Sequence, residues 1–323
     1  MRQIPLTAVQ DAAQFIYSVA RRTPLVRLDL PKPVAECLAG SDIYLKLEVL
    51  QPIGSFKIRG AYNVVRQLPS ETLRGGVWTV SAGNAAQGVA FAARTAQAPC
   101  SVMVMDTAPE AKLRAIERLG ARIVPASYDE CWETVERHGS DRMTGHFLHP
   151  FDDDRFIAGN ATAGLEIVED LPDVDAVVAP LGGGGLLAGV ASAVRALRPR
   201  ARIFAAEPET AAPFDASLKA GRASYFEGWQ ASFVDGAGGR SVLPTMWPLL
   251  QGLLEGSIVV SLAETAAAMK LVAERNHVIA EGAAACAVAA ALTGRAGPGK
   301  IVAIVSGGNI DLSKFASLVG ACA

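Results

Sequence analysis

Four short segments of this 323-residue chain combine residue types and spacings that can do chemistry. In Val177-Val-Ala-Pro-Leu-Gly182-Gly-Gly-Gly185-Leu-Leu-Ala-Gly189, four consecutive glycines follow an apolar run and open a helical pattern. Without Cβ atoms, their N–H groups can converge on an anion at the positive end of a helix dipole. Gly182, Gly183, Gly184 and Gly185 are therefore a candidate phosphate cradle. A flexible turn is the alternative, but ordered glycines cost about 1 kcal/mol each relative to alanine. A dinucleotide fingerprint fits less well, since only Glu207 offers a loose ribose contact downstream. In Val80-Ser81-Ala82-Gly83-Asn84-Ala85-Ala86-Gln87-Gly88, Ser81 and Asn84 could donate to a carboxylate or phenolate beside free backbone N–H groups. A plain helix cap would need only one polar residue. In Gln51-Pro-Ile-Gly54-Ser55-Phe56-Lys57-Ile58-Arg59-Gly60-Ala61, Lys57 stands between Phe56 and Ile58. Most lysines are solvated, but an apolar setting lowers the pKa and makes a better amine nucleophile. Ser306, after the apolar run 301–305, could meet a ring nitrogen or simply form a turn.

Other candidates carry less. His146 and His149 lie three apart with no acidic or histidine partner to complete a metal set, so ordinary polar contacts are expected. The run Asp152-Asp153-Asp154 suits a helix N-terminus, where carboxylates favour the dipole. No GxSxG or HExxH occurs.

Loops of this kind need strands and helices to hold them. The sequence predicts strands at residues 76–80, 101–105, 122–125, 176–179, 203–206 and 301–305. Their near-continuous apolar character suits strands covered on both faces of a parallel sheet. Helical patterns fall at 85–97, 110–119, 128–138, 155–170, 185–197, 262–276 and 282–292. The alternation is that of an α/β protein with right-handed crossovers, whose ligands sit beyond the carboxyl ends of strands. Boundaries near residues 50–55 and 149–154 divide the chain into a small unit, 51–150, and a larger discontinuous one, 1–50 with 151–323.

Composition narrows the function. Half the residues are apolar and 19% are charged, so a sizeable core is expected and disorder is not. Thirty Lys+Arg against 32 Asp+Glu leave a net charge of -2, with no basic stripe for nucleic acid. Five cysteines, Cys37, Cys100, Cys131, Cys286 and Cys322, make no CxxC pair, which points to a reducing compartment. Gln3, Gln10, Asp11 and Gln14 interrupt any signal-peptide core, and the apolar run 282–292 is too short to span a bilayer. A cytoplasmic protein is expected.

The segments SFKIRGA, SAGNAAQG, HPFDD, PLGGGGLLAG, EGAAA and SGGN occur in the order found in one family. Over essentially its full length the chain resembles the fold-type II pyridoxal-phosphate enzymes of the serine/threonine dehydratase family. The resemblance implies two open, twisted, mostly parallel sheets flanked by helices, and a homodimer. It implies that Lys57 is the Schiff-base lysine, that Phe56 packs beside the cofactor and that Asn84 hydrogen-bonds its 3-oxygen. Gly182 to Gly185 would hold the phosphate and Ser306 would face the pyridine nitrogen. Ser55, Ser81, Ala82, Asn84 and Ala85 would bind the substrate. A serine at that nitrogen cannot keep it protonated as an aspartate would, so rapid loss of a β-hydroxyl is the expected exit, giving a 2-oxo acid and ammonia.

Four departures from the family pattern bear on specificity. Ala82 stands where racemases of the family carry a second-face serine, and Ala85 replaces the usual histidine. Glu207 matches one member of a divalent-cation pair, but Pro213 occupies the other position, which weakens a metal there. Arg240 stands in a glycine-rich segment, either as a surface turn or within reach of a second carboxylate. L-threonine or L-serine is the default substrate; 3-hydroxyaspartate or phenylserine is the alternative. A racemase, an inactive cofactor-binding protein and a nicotinamide-dependent dehydrogenase rank lower. With 14 residues after Asn309, an appended regulatory domain is not expected.

Overall fold

The structure, a computed structural model, describes residues 2–38 and 40–321; Cys322 lies outside them. Its strands are β1 (Leu25–Arg27), β2 (Ser41–Leu47), β3 (Val77–Val80), β4 (Cys100–Met105), β5 (Arg122–Ala126), β6 (His146–Phe147), β7 (Ala176–Pro180), β8 (Arg202–Pro208), β9 (Gly256–Val260) and β10 (Gly299–Val305). The helices are α1 (Leu6–Ile16), α2 (Lys32–Cys37), α3 (Lys57–Val65), α4 (Ser70–Arg74), α5 (Asn84–Thr95), α6 (Glu110–Glu117), α7 (Tyr128–Arg137), α8 (Asp154–Asp170), α9 (Gly185–Leu197), α10 (Pro213–Ala220), α11 (Trp247–Leu253), α12 (Leu262–Asn276), α13 (Gly282–Leu292) and α14 (Leu312–Gly320).

Two sheets result. One has the order β1-β2-β10-β7-β8-β9, the other β5-β4-β3-β6. All neighbours run parallel except β1, which closes one edge antiparallel to β2. The larger sheet thus draws strands from both ends of the chain, and the smaller one lies wholly within residues 77–147. This is the α/β architecture the resemblance implied.

Apolar patterning explains the centre of the larger sheet. Every residue of β7 is buried, as is 301–305 of β10, because helices cover both faces. Helix α13 is nearly all alanine and is buried from Gly282 to Ala291 against β7, β8, β9, β10 and α12. Its apolar run is an interior helix. No helix among the described residues is long and apolar enough to cross a membrane. Helices α8 and α9 cross closely: a Cβ on Gly189 would fall 2.5 Å from Ile157 O, so only glycine permits that approach.

Strands β1, β2, β6 and β9, and helices such as α1 and α3, go beyond the elements predicted. Helix α3 reads as loop because Arg59, Gly60 and Asn63 interrupt it, yet all three are buried. In β2, Ile43, Leu45 and Leu47 alternate inward, but Lys46 is fully buried as well and hides the pattern. Both exceptions belong to one buried ion network described below.

Candidate active site

The carboxyl ends of β3, β7 and β10 open into the three loops 81–84, 181–185 and 306–309, and α3 brings Lys57 to the same place. Backbone bonds pin the lysine loop to the end of β10. Phe56 N–H donates to Ser306 O at 3.0 Å, Gly308 N–H donates to Gly54 O at 2.9 Å, and Ser55 bridges Gly307. Ser306 and Ser55 are both buried, and Ser55 Oγ has no hydrogen-bond partner among the described residues. A buried orphan hydroxyl calls for a ligand or water to satisfy it.

Lys57 is the first residue of α3. Its Nζ donates to Pro150 O at 2.6 Å and lies 5.2 Å and 5.4 Å from the ring centres of Phe56 and Phe156. No carboxylate pairs with it among the described residues. Burial therefore lowers its pKa to about 8. Helix α5 can approach because residue 88 is glycine: a Cβ there would meet Lys57 O at 2.9 Å.

Helices α5 and α9 start at the site without a side-chain cap, as do α3 and α13. Helices α7, α8, α12 and α14 are capped by Ser127, Asp153, Ser261 and Asp311. Helices α5 and α9 instead open on Gly83 and Gly184, with no side-chain cap. Their first N–H groups remain available to an anion. The glycine loop is sterically compulsory. Gly184 has φ +90°, and a Cβ on Gly183 would fall 2.2 Å from the Phe151 ring. One on Gly182 would reach Gly236 O at 2.6 Å. The loop is fixed further by Asn160 Nδ2, which donates to Gly185 O at 3.2 Å. In the second loop, Ser81 Oγ accepts from Gly83 N–H at 3.0 Å, leaving its own proton to donate. Ala82 is partly exposed and Ala85 is buried.

Asn84 is held by two residues not singled out from the sequence. Asn309 Nδ2 donates to Ile53 O at 2.8 Å and to Asn84 Oδ1 at 2.7 Å. Asn84 Nδ2 donates to Glu281 Oε1 at 2.7 Å. That leaves one Asn84 amide proton for a ligand. Glu281 is buried, which raises its carboxyl to about 7, and Asp235 adds to the rise. The EGAAA and SGGN motifs contained both residues, but their sequence spacing did not show that they flank one asparagine.

Lys57, Phe56, Ser55, Ser306 and Asn84 are joined by these contacts, and the Ser81–Ala85 and Gly182–Gly185 loops open beside them. Glu207, the weak candidate for a metal ligand, stands near the carboxyl end of β8. Its oxygens accept from Phe214 N–H at 2.8 Å, Asp215 N–H at 2.9 Å and Ser257 Oγ at 2.5 Å, so it caps α10. Pro213 is where that helix starts, and the neighbouring carboxylate is that of Asp215, whose charge adds to the rise to about 7 that burial gives the Glu207 carboxyl. The surroundings of His149 also differ from expectation: His138 and Asp152 lie beside it, though His146 does not complete the group. His149 Nδ1 accepts from Asp152 N–H at 2.7 Å while Nε2 faces Val135 O at 3.1 Å. Asp152 is engaged by Arg2 and by Thr245 Oγ1. These atoms engage one another and neighbouring protein groups.

The pyridoxal-phosphate dependent enzyme family matches residues 16–307. An L-threonine ammonia-lyase of Thermotoga maritima is 38% identical over 98% of this chain and 78% of its own. Among solved structures, maize serine racemase has a TM-score of 0.89 at 31% identity, covering 98% of this chain and 97% of its own. The processed form of threonine deaminase isoform 2 from Solanum lycopersicum has a TM-score of 0.85 at 33% identity, covering 99% and 95%.

Proposed function

The chain belongs to the pyridoxal-phosphate dependent enzyme family, and we propose that it dehydrates and deaminates a β-hydroxy amino acid, threonine or serine by default, to a 2-oxo acid and ammonia. The observation that carries this reading is Lys57: an amine without a carboxylate partner, held at about 8 by burial, between an uncapped glycine cradle and an uncapped helix start.

The residues present fit pyridoxal 5'-phosphate. In the cradle of Gly182, Gly183, Gly184 and Gly185 the Cβ positions are taken by neighbouring protein atoms, so the loop must keep bare backbone, and α9 points its positive end there for a phosphate. Lys57 would be the point of attachment, Phe56 would pack beside the ring, Asn84 would offer its free amide proton to the ring oxygen and Ser306 would meet the ring nitrogen. Bound cofactor supplies a conjugated electron sink. The rest is done by this chain. Ser55, Ser81, Ala82, Asn84 and Ala85 orient the substrate carboxylate through Oγ groups and the free N–H groups of α5. Lys57 Nζ takes the Cα proton, and its lowered pKa keeps a useful fraction neutral. Ala82 offers no proton donor on the second face, so elimination is favoured over racemisation.

Residues 51–150 act in this reading as a unit that moves against 1–50 with 151–323. Lys112 pairs with Asp235 and Tyr225 OH donates to Glu136 Oε1 at 3.3 Å across that division. We take the working form to be a cytoplasmic homodimer, a reading supported by the family resemblance and by the free Cys37, Cys100, Cys131 and Cys286.

Incubating the purified holoenzyme with L-threonine and L-serine is expected to release 2-oxo acid. Racemised amino acid without any oxo acid would refute the assignment. A second expectation concerns the cradle. Gly183→Ala pushes a methyl into Phe151, and overpacking of this kind costs about 1–3 kcal/mol. Titration of the apoenzyme should show cofactor binding weakened roughly tenfold to a hundredfold. An unchanged affinity would place the phosphate elsewhere.

A further inference from the structure

Arg240 follows the short turn Asp235–Ala237 and is no surface turn. Its backbone is fixed: Arg240 O accepts from Phe226 N–H at 2.8 Å, and Ser241 bridges Tyr225. Its guanidinium carbon lies 4.0 Å from the ring centre of Trp229 and 4.4 Å from that of Tyr128. Trp229 is anchored in turn by its Nε1, which donates to Gly238 O at 2.8 Å. The two rings hold the cation in one place and strip water from its faces.

What the guanidinium lacks is an anion. Arg240 makes no ion pair among the described residues, and its Nε is buried without a hydrogen-bond partner. The fully buried Arg59, by contrast, is paired with Glu48 and Glu166. A guanidinium stacked between two rings, half-buried and with its Nε buried and unpaired, is poised for a carboxylate, the geometry it matches best.

Its position is at the site. A Cβ on the preceding residue, Gly239, would stand 4.0 Å from Gly182 O of the phosphate loop. The Tyr128 ring beneath it lines a cavity of about 140 Å³ that reaches the substrate loop at Ser81 and Ala82. The remaining walls are Val80, Met103, Met105, Cys131, Trp132 and Val135, which bring no positive charge. The small side chain of Ala82 leaves room on this side.

We propose that Arg240 receives an anionic group at the far end of the substrate side chain, making the preferred substrate a β-hydroxy amino acid with a second carboxylate. This rests on the dehydratase reading and names the substrate class within it. The smallest such compound is 3-hydroxyaspartate. The chemistry is unchanged: the Cα proton and the β-hydroxyl leave as water, and hydrolysis gives ammonia and a dicarboxylic 2-oxo acid.

The test compares kcat/KM for 3-hydroxyaspartate, in its separate stereoisomers, with that for threonine and serine. The holoenzyme is used as wild type, Arg240→Lys and Arg240→Met. The wild type should prefer one isomer of 3-hydroxyaspartate by at least about tenfold. Arg240→Met should lower that preference on the order of 100-fold, mainly through KM, and Arg240→Lys should restore part of it. A wild type that favours threonine or serine overturns the proposal and leaves the dehydratase reading intact, whether or not Arg240→Met folds. Equal losses on acidic and neutral substrates also overturn it, by making the stacked arginine a structural clamp. Failure of every β-hydroxy amino acid to yield a 2-oxo acid would sink both.

Discussion

Lys57→Ala is expected to reduce 2-oxo acid release by about 10²- to 10⁴-fold, the range for losing a positioned acid–base group. The variant should still bind cofactor, because the glycine cradle and the open start of α9 are untouched by the change. The phenotype is therefore inactive protein that retains noncovalently held pyridoxal phosphate. Lys57→Arg should not rescue it, since a guanidinium stays protonated. The pH dependence follows from the same residue. Burial depresses the amine to about 8, and the base must be neutral, so kcat should rise as pH rises through about 8 and then level off. A rate that is flat across that interval would remove Lys57 as the titrating base.

Glu166→Ala should cost about 3–5 kcal/mol of stability, the usual consequence of removing one partner from a buried ion network. Arg59, two residues beyond Lys57 on α3, is fully buried between two carboxylates. Its Nη1 donates to Glu166 at 2.7 Å and its Nε to Glu48 at 2.8 Å. Lys46 Nζ adds a contact to Glu166 at 2.6 Å, and Tyr17 OH donates to it at 2.8 Å. Without Glu166, buried Arg59 would keep only Glu48 and buried Lys46 only the more distant Asp170, 3.8 Å away. Burial by itself would raise the Glu166 carboxyl, but Arg59 and Lys46 hold it below the ordinary carboxylate range. A carboxyl depressed on folding contributes stability above its unfolded pKa and loses it as pH falls through the folded value. Denaturant unfolding should show the wild type weakening in acid, and the variant weak already at neutral pH. The same network ties α3 to α8 and β2, so the variant should also lose activity faster on heating. A stability within 1 kcal/mol of wild type would mean that the network contributes little.

The parts of this protein legible in the sequence are those governed by short-range physics. Strands β7 and β10 announce themselves because both faces are apolar, and α9, α12 and α13 were bounded as found. The glycine loop could be read as an anion cradle because four adjacent glycines have few other uses. The lysine could be chosen only through its motif, since its desolvation comes from Phe156 and the Pro150 carbonyl, nearly a hundred residues away. Helix α3 and strand β2 were hidden for one reason. Each carries a buried charge whose partner lies far off in sequence, so polar residues sit where a core pattern needs apolar ones. Glu207 was named only through the resemblance, and its hydrogen bonds to the start of α10, seven and eight residues on, are not legible in spacing. The clamp of Glu281 and Asn309 on Asn84 depends on three loops meeting, which no local spacing records.

The most direct test of the account is to reduce the purified holoenzyme with borohydride and map the peptide that carries the phosphopyridoxyl group. Eight lysines are available, at positions 32, 46, 57, 112, 219, 270, 300 and 314. The account predicts the label on Lys57 alone and its loss in Lys57→Ala. A label on any other lysine, or none on protein that still releases 2-oxo acid, would contradict it.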